Sequence, residues 1–255
     1  MFDDLAGQTA VITGGARGLG LSLATALASQ GVSIALLDVL PQVTDSAAAL
    51  AAEHGVRAAG YVVDVTDPDA VDAAVGQAAA ELGTASLLIT AAGITIWGDS
   101  ADVEPATWRK VLSINLDGTF YAVQSFARRA LIASGPASVI MIASMSGLVI
   151  NQPQFQASYS ASKAAVAQLA KALAVEWAGA GLRVNAISPG YFLSDMTRTF
   201  TEANPDLAEQ WVASIPMGRM GDPTDLHGLV VYLASSASSY LTGQNIVIDG
   251  GYTSL

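Results

Sequence analysis

Seven short apolar runs alternate with alanine-rich segments of helical composition between Ala10 and Ile248. Strands buried on both faces of a sheet read as continuous apolar runs, and helices between them imply right-handed crossovers. The alternation therefore predicts an α/β chain with a doubly wound, seven-stranded parallel sheet and helices on both faces. The predicted strands are Ala10–Thr13, Ser33–Leu37, Ala58–Val63, Ser86–Thr90, Val139–Ala143, Arg183–Ile187 and Asn245–Ile248.

The chain has 255 residues, of which 52% are hydrophobic, and this is enough to bury a large core. No repeat, heptad array or Pro/Gly-rich linker divides it, so residues 1–255 are predicted to form a single domain. The segment at about 195–221 breaks the alternation with Asn204-Pro205 and Pro216. Long connections of this kind often form lids, and we expect one here over a substrate site.

Charge and residue types exclude several classes of function. The formal net charge of −11 disfavours nucleic acid and anionic membrane surfaces as partners. There is no cysteine, and His54 and His227 are the only histidines, so neither a disulfide framework nor a metal site is expected. The acidic N-terminus lacks a signal region, and polar residues and prolines interrupt the charge-free stretch between Arg129 and Lys163. We therefore expect a cytoplasmic protein without a membrane span.

A glycine-rich turn follows the first predicted strand and opens the first predicted helix. Glycine permits a tight turn and close backbone approach, while helix N–H groups and the helix dipole attract a pyrophosphate. In this position the turn is typical of a Rossmann-type dinucleotide-binding fold, although an ordinary strand-to-helix turn is the alternative. The predicted cofactor-binding residues here are Gly14, Arg17, Gly18, Leu19 and Gly20.

Asp38 ends the second predicted strand, 18 residues beyond Gly20. A carboxylate there can accept hydrogen bonds from the adenosine ribose and would repel a 2′-phosphate, which favours NAD over NADP. Arg17 could compensate such a phosphate, and the acidic residue could also be a solvated turn. Asp64 and Val65, which follow the third strand, are predicted to line the adenine pocket. For Asp64 the alternative is to cap the helix that begins near Pro68.

Tyr159 and Lys163 lie four residues apart in a predicted helix, so both side chains project from one face. Lys163 is the only charged residue between Arg129 and Lys171, which indicates that it is partly desolvated. A phenol with a pKa near 10 needs about 4 kcal/mol of anion stabilisation to act as a base near neutral pH. A neighbouring ammonium and a positive nicotinamide ring could supply it.

Two serines follow the strand Val139–Ala143, and either could donate a hydrogen bond to a developing alkoxide. Ser144 ends the strand directly, and Ser146 lies two residues further on. A loop cap is the alternative for both. We select Ser144 because of its position at the strand end.

At this point the sequence resembles the short-chain dehydrogenase/reductase family over nearly its whole length. The motifs that carry the resemblance occur in the family's order: Gly14-x-x-x-Gly18-x-Gly20, Asn115, Tyr159-x-x-x-Lys163, Pro189-Gly190 and Asp249-Gly250-Gly251. The resemblance implies one dinucleotide-binding and catalytic domain, an NAD-dependent oxidoreductase acting on an alcohol or ketone, and a homotetramer. The sequence is distinguished by its glycine spacing and short length from related epimerases and dehydratases.

The resemblance also implies a role for each matching residue. Tyr159 would be the general acid/base, Lys163 would lower its pKa and hold the nicotinamide ribose, and Ser144 would orient the substrate oxygen. Asn115 would hold a water that links Lys163 to solvent. Further cofactor contacts would come from Ala92, Gly93, Pro189, Gly190 and Ser194.

Two features depart from the family's pattern. Thr90-Ala91-Ala92-Gly93 stands where the family often has Asn-Asn-Ala-Gly, so Thr90 can replace the sheet-stabilising asparagine only in part. Ser144 lies 15 residues before Tyr159, whereas Ser146 has the family's commoner spacing.

The substrate is predicted to be a polyol or another polyhydroxylated alcohol. Uncharged hydrogen-bonding residues lie between Ser144 and Tyr159, and this stretch resembles sugar-alcohol dehydrogenases of the galactitol type. The predicted substrate residues are Ser144, Ser146, Asn151, Gln154, Tyr159 and Tyr191. Gln152 is a further polar residue in the stretch between Ser144 and Tyr159. An apolar wall would instead suit simple or aromatic secondary alcohols; its candidates are Trp97, Phe155, Tyr191, Phe192, Met196 and Trp211. A 3-oxoacyl-type reductase and a non-catalytic dinucleotide-binding protein are the remaining alternatives.

Overall fold

A single parallel sheet of seven strands runs through the computed structural model, which describes residues 2–255 except the side chains of Asp195, Met196, Thr199 and Phe200. The predicted α/β fold is confirmed, and each predicted strand is present with ends shifted by at most two residues. The strands are β1 Thr9–Thr13, β2 Ser33–Asp38, β3 Ala58–Val62, β4 Leu87–Thr90, β5 Ala137–Ile142, β6 Leu182–Pro189 and β7 Asn245–Ile248.

Helices cover both faces of the sheet, which explains why strand residues are apolar in succession. The helices are α1 Gly18–Ala28, α2 Val43–His54, α3 Pro68–Leu82, α4 Pro105–Leu112, α5 Gly118–Ala133, α6 Ala157–Trp177, α7 Asp195–Ala203, α8 Pro205–Ala213 and α9 His227–Ala234. Val11 and Ala35 pack on the side of α3, α5 and α6, whereas Ile12 and Ile34 pack on the side of α1, α2 and α9.

The strand order β3-β2-β1-β4-β5-β6-β7 reverses between β1 and β4. In open α/β sheets, ligands bind beyond the carboxyl ends of the strands at such a switch point. Thr13 and Thr90 are paired residues at the ends of these two strands. The fold therefore places the segments after β1, β2, β4 and β5 around one crevice.

The end of β3 differs from the prediction. The strand ends at Val62 instead of Val63, although the Val63 amide still donates a hydrogen bond of 2.8 Å to the Asp38 carbonyl. The carboxylate that caps α3 belongs to Asp67, which accepts from the amides of Asp69 and Ala70. The alternative in which Asp64 caps this helix is therefore wrong.

The predicted lid segment at about 195–221 contains α7 and α8. The two ends of the segment lie side by side, because Phe192, which precedes it, forms a β-bridge with Gly221 at its end. Trp211 and Ile215 are buried in a cluster with Met145, which lies just beyond β5. The segment therefore packs over the loop that follows β5, and its action as a lid stays a prediction.

Within residues 2–255, no helix combines the length and apolar character needed to cross a membrane. The same residues contain no group of three or more His, Cys, Asp or Glu side chains placed to hold a metal ion.

Candidate active site

The glycine-rich turn is held so tightly that side chains would collide with its backbone. Gly14 has φ +68°, and a Cβ atom there would lie 2.7 Å from the Ala92 nitrogen. A Cβ on Gly20 would lie 2.1 Å from the Gly14 carbonyl oxygen. Helix α1 begins at Gly18 with no side-chain cap and no acidic residue in its first turn. The helix end is therefore open to an anion, as a pyrophosphate site requires.

Asp38 braces this turn from the end of β2. One carboxylate oxygen accepts from the Ala16 amide and the other from the Leu40 amide, both at 3.0 Å. Each oxygen keeps a second lone pair for another donor. Arg17, at the head of α1, is exposed, and Leu19 is partly buried within the helix's first turn.

Asp64 and Val65 lie where the chain leaves β3. The Asp64 carboxylate accepts from the amide and the hydroxyl of Thr66 at 2.9 and 2.8 Å, which closes a local turn. Val65 is buried, and Gly118 at the start of α5 leaves room for it, because a Cβ on Gly118 would lie 2.7 Å from Val65 Cγ2.

Asn115 lies in a π-helical turn, Ser113–Asp117, that joins α4 to α5. Its side chain is fully buried: Oδ1 accepts from the Ile94 amide at 2.8 Å, and Nδ2 donates to the Ile94 carbonyl at 2.9 Å. Nδ2 also donates to the Ser162 hydroxyl on α6 at 3.0 Å. Asn115 thereby ties the loop after β4 to α6, the catalytic helix that carries Tyr159 and Lys163. Such π-helical turns occur often at functional sites.

Lys163 reaches from α6 to the end of β5. Its Nζ atom lies 5.7 Å from the centre of the Tyr159 ring. Burial of the Lys163 ammonium lowers its pKa to about 8. A Cβ on Gly93 would lie 3.4 Å from this Nζ and 3.3 Å from Asn115 Oδ1, so the glycine keeps the two polar groups accessible from the loop after β4.

Tyr159 and Ser144 face each other across the site. Burial raises the pKa of the Tyr159 phenol above its ordinary value, and a hydrogen bond with the Ser144 hydroxyl opposes that shift. Ser144 follows β5 and also accepts from the Ser146 amide at 3.1 Å. Ser144, not Ser146, is therefore the serine that contacts the Tyr159 phenol. From these positions the Ser144 hydroxyl and the Tyr159 phenol can both contact one substrate oxygen.

Ser146, Asn151 and Gln154 belong to a buried polar network. Asn151 donates to the Tyr191 hydroxyl at 3.2 Å, and that hydroxyl donates to Gln154 Oε1 at 2.7 Å. The Ser146 hydroxyl accepts from Gln156 Nε2 at 3.3 Å. Three of the polar residues between Ser144 and Tyr159 thus lie together, as the sequence led us to expect, whereas the Gln152 side chain is exposed.

Aromatic side chains pack against the Tyr191 ring of this network, and one of them, Trp211, comes from the 195–221 segment. Trp211 of α8 stacks on Tyr191, with ring centres 4.5 Å apart and an interplanar angle of 13°. Trp97 and Trp211 pack in a T-shaped arrangement, as do Tyr191 and Tyr252. The apolar wall therefore contains Trp97, Tyr191 and Trp211.

Two members of the expected wall lie elsewhere. Phe155 is 64% exposed, because its loop turns the ring to solvent. Phe192 packs in the core on the α1 and α9 side, against Gly221. Both are corrections to the predicted wall, and the Met196 side chain lies outside the described residues.

The remaining predicted cofactor residues lie at neighbouring strand ends. The Ala92 amide donates to Thr13 Oγ1 at 3.3 Å, so Thr13 holds the loop after β4, whereas Thr90 Oγ1 is buried with no hydrogen-bond partner within residues 2–255. Pro189 ends β6, and a Cβ on Gly190 would lie 2.7 Å from Asp249 Cα. The Pro-Gly and Asp-Gly-Gly motifs therefore touch.

Ser194 caps α7, and its hydroxyl accepts from the Thr197 amide at 3.4 Å. A nicotinamide that contacts Ser194 would have to bind the same hydroxyl that already caps the start of α7.

Gln156, Thr95 and Ser162 are site residues that the sequence did not single out. Gln156 could have been noted as a polar residue directly before the catalytic helix. Thr95 carries no local signal, because its partner Gln156 is 61 residues away.

Comparisons with known proteins identify the family of the chain. A family model described as enoyl-(acyl carrier protein) reductase matches residues 14–253. Galactitol 2-dehydrogenase (L-tagatose-forming) of Cereibacter sphaeroides is 43% identical over 250 residues, covering 98% of this chain and 96% of that protein.

Two solved structures extend the comparison. A short-chain type dehydrogenase/reductase from Mycobacterium marinum is 39% identical, with a TM-score of 0.89 and coverage of 99% and 98% of the two chains. The NADPH-dependent 3-quinuclidinone reductase of Rhodotorula rubra is 36% identical, with a TM-score of 0.91 and coverage of 100% and 95%.

Proposed function

The chain belongs to the short-chain dehydrogenase/reductase family, and on that premise we propose that it is an NAD-dependent polyol dehydrogenase. It would oxidise one secondary hydroxyl group of a polyhydroxylated alcohol to a ketone, and would catalyse the reverse reduction. The observation that carries the proposal is the contact between the Tyr159 phenol and the Ser144 hydroxyl, with the buried Lys163 beside them.

The described residues fit a nicotinamide dinucleotide. The uncapped start of α1 and the close approach of Gly14 to Ala92 leave a backbone cradle suited to a pyrophosphate. When bound, the dinucleotide supplies the hydride acceptor for alcohol oxidation and the donor for ketone reduction. Gly93 would let it approach Lys163 and Asn115.

Tyr159 moves the proton. In alcohol oxidation its phenolate accepts the substrate hydroxyl proton, and in ketone reduction its phenol returns one to the carbonyl oxygen. Ser144 donates a hydrogen bond to the same substrate oxygen, where negative charge develops. Lys163 supports the phenolate electrostatically, and its partial desolvation strengthens that effect.

The polyol assignment rests on the polar network around Ser146, Asn151 and Gln154. Buried hydrogen-bonding groups cost about 1–3 kcal/mol each when left unpaired, so a pocket that contains them favours a substrate rich in hydroxyl groups. The galactitol 2-dehydrogenase relative acts on such a substrate, as its name states.

The preference for NAD rests on Asp38. Its carboxylate has lone pairs left for ribose hydroxyls and carries a charge that repels a 2′-phosphate. The solved structure of an NADPH-dependent relative keeps NADP as the alternative, and the exposed Arg17 is the side chain that would favour it.

The test is the appearance of NADH or NADPH at 340 nm, with NAD and NADP compared over hexitols, pentitols, vicinal diols and unbranched secondary alcohols. We expect the highest kcat/KM with a hexitol or pentitol and NAD. Higher kcat/KM for the unbranched alcohols would replace the polyol assignment with the second candidate, a dehydrogenase of simple or aromatic secondary alcohols. The stacked Tyr191 and Trp211 rings favour that candidate.

The homotetramer and the cytoplasmic location stay predictions.

A further inference from the structure

Gln156 joins three segments that carry or adjoin predicted substrate residues. It is the last residue before α6, three positions before Tyr159, and its side chain is buried. Its Oε1 atom accepts from the Thr95 hydroxyl at 3.1 Å, in the loop after β4. Its Nε2 atom lies 3.3 Å from Ser146 Oγ and 3.5 Å from Asn151 Oδ1. One amide thus connects the loop after β4 with the turn and the loop that follow β5.

The direction of these hydrogen bonds determines what the pocket offers a ligand. Because the Ser146 oxygen accepts from Gln156, the Ser146 hydroxyl hydrogen remains for another acceptor. Asn151 directs Oδ1 towards Gln156 and one Nδ2 hydrogen towards Tyr191, which leaves its second Nδ2 hydrogen.

Each amide oxygen of the network already receives one hydrogen and therefore needs no further partner. Gln154 Oε1 receives the hydrogen of the Tyr191 hydroxyl. Buried donors need acceptors, so the network is suited to the oxygen atoms of a ligand rather than to its hydroxyl hydrogens or to an apolar chain.

Ser146 also connects Gln156 to the reacting centre, since its amide donates to Ser144 Oγ at 3.1 Å. We propose that Gln156 is a positioning residue that sets the polarity of the substrate pocket, holding Ser146 and Asn151 as hydrogen-bond donors to the oxygens of a polyhydroxylated substrate. This inference rests on the polyol function proposed above. Gln156 acts through Ser146 and Asn151 and does not itself contact the reacting atoms.

Gln156→Leu removes all three contacts and keeps a side chain of similar volume. Galactitol and 1,2-hexanediol are the probes, because the diol keeps the first two hydroxyl groups and lacks the others. We expect kcat/KM for galactitol to fall about tenfold to a hundredfold, mainly through KM, and kcat/KM for the diol to change by less than about threefold.

Gln156→Glu keeps the volume of the side chain and removes its hydrogen-bond donors. The carboxylate can still accept from Thr95 but has no hydrogen to donate, so the Ser146 hydroxyl turns towards it. We expect a loss of galactitol preference at least as large as with Gln156→Leu. Gln152→Leu and Gln152→Glu are matched controls, since Gln152 is exposed in the same part of the chain, and should leave both kcat/KM values unchanged.

A double-mutant cycle with Ser146→Ala tests the route of action. If Gln156 acts through Ser146, the double variant loses clearly less than the sum of the single losses. NADH binding and the thermal unfolding midpoint are measured for each variant to establish that the cofactor site and the fold are intact.

The possible results lead to different conclusions. An equal loss for galactitol and the diol indicates a merely structural role and overturns the inference, as do an unchanged substrate preference and fully additive losses. A wild-type enzyme that prefers the diol contradicts the polyol function itself. A wild-type enzyme that prefers galactitol, with Gln156 variants that keep this preference, contradicts the role of Gln156 alone.

Discussion

The Nζ atom of Lys163 donates a hydrogen bond of 2.7 Å to the backbone carbonyl oxygen of Ile142, the last residue of β5. The carbonyl dipole favours the ammonium form, while burial works against it and lowers the pKa to about 8. The lysine is therefore fixed at the strand end beside Tyr159, with two of its three hydrogens left for other partners.

We predict that Lys163→Ala lowers both the turnover number and the affinity for NADH. The change removes the charge that supports the phenolate and the donor proposed for the nicotinamide ribose. Stopped-flow turnover and NADH fluorescence titration separate the two effects. Lys171→Ala, an exposed lysine on the same helix, is the control. An unchanged NADH affinity would leave Lys163 with the electrostatic role alone.

Tyr159→Phe should reduce turnover by at least about a hundredfold, because general acid/base catalysis of this kind contributes roughly 10²–10⁴-fold. NADH affinity should stay near the wild-type value, since only one hydroxyl is removed. Tyr240→Phe, at a fully exposed tyrosine, should have no effect on either quantity. Activity within tenfold of wild type would reject Tyr159 as the proton carrier.

The rate of alcohol oxidation should rise with pH, and the rate of ketone reduction should fall. Burial raises the pKa of Tyr159, so the phenol keeps its proton at low pH and can donate it, and the phenolate that accepts a proton forms only as the pH rises. The profile is measured from pH 6 to 10 with a deuterated substrate, to establish that hydride transfer limits the rate. A flat profile under those conditions would contradict a tyrosine base.

Asp38→Ala should shift the NAD:NADP ratio of kcat/KM towards NADP by about tenfold to a hundredfold, since hydrogen bonds to a charged group contribute about 1.5–3 kcal/mol. It should also weaken binding of both cofactors, because the carboxylate holds the Ala16 and Leu40 amides. Asp45→Ala, on α2, is the control for surface charge. A wild-type preference for NADP would instead give the dominant role to Arg17.

The site was predictable where its signals are local. Tyr159 and Lys163 are one helical turn apart, and Gly20 is required by its contact with the Gly14 carbonyl in the same turn of chain. Ser144 could be chosen over Ser146 because it closely follows a strand whose position is indicated by a continuous apolar run. In each case, residues close in sequence are also close in space.

The amino-acid sequence by itself determined the seven-stranded α/β fold, because strands covered on both faces must be apolar in succession and helices must connect parallel strands. Only the tertiary structure decided that Gln156 meets Thr95, Ser146 and Asn151, and that Trp211 stacks on Tyr191. It also turned Phe155 and Gln152 to solvent. The physical reason is that these residues lie in the connections that follow β4, β5 and β6, and their side-chain directions depend on how those connections fold and pack rather than on any local pattern.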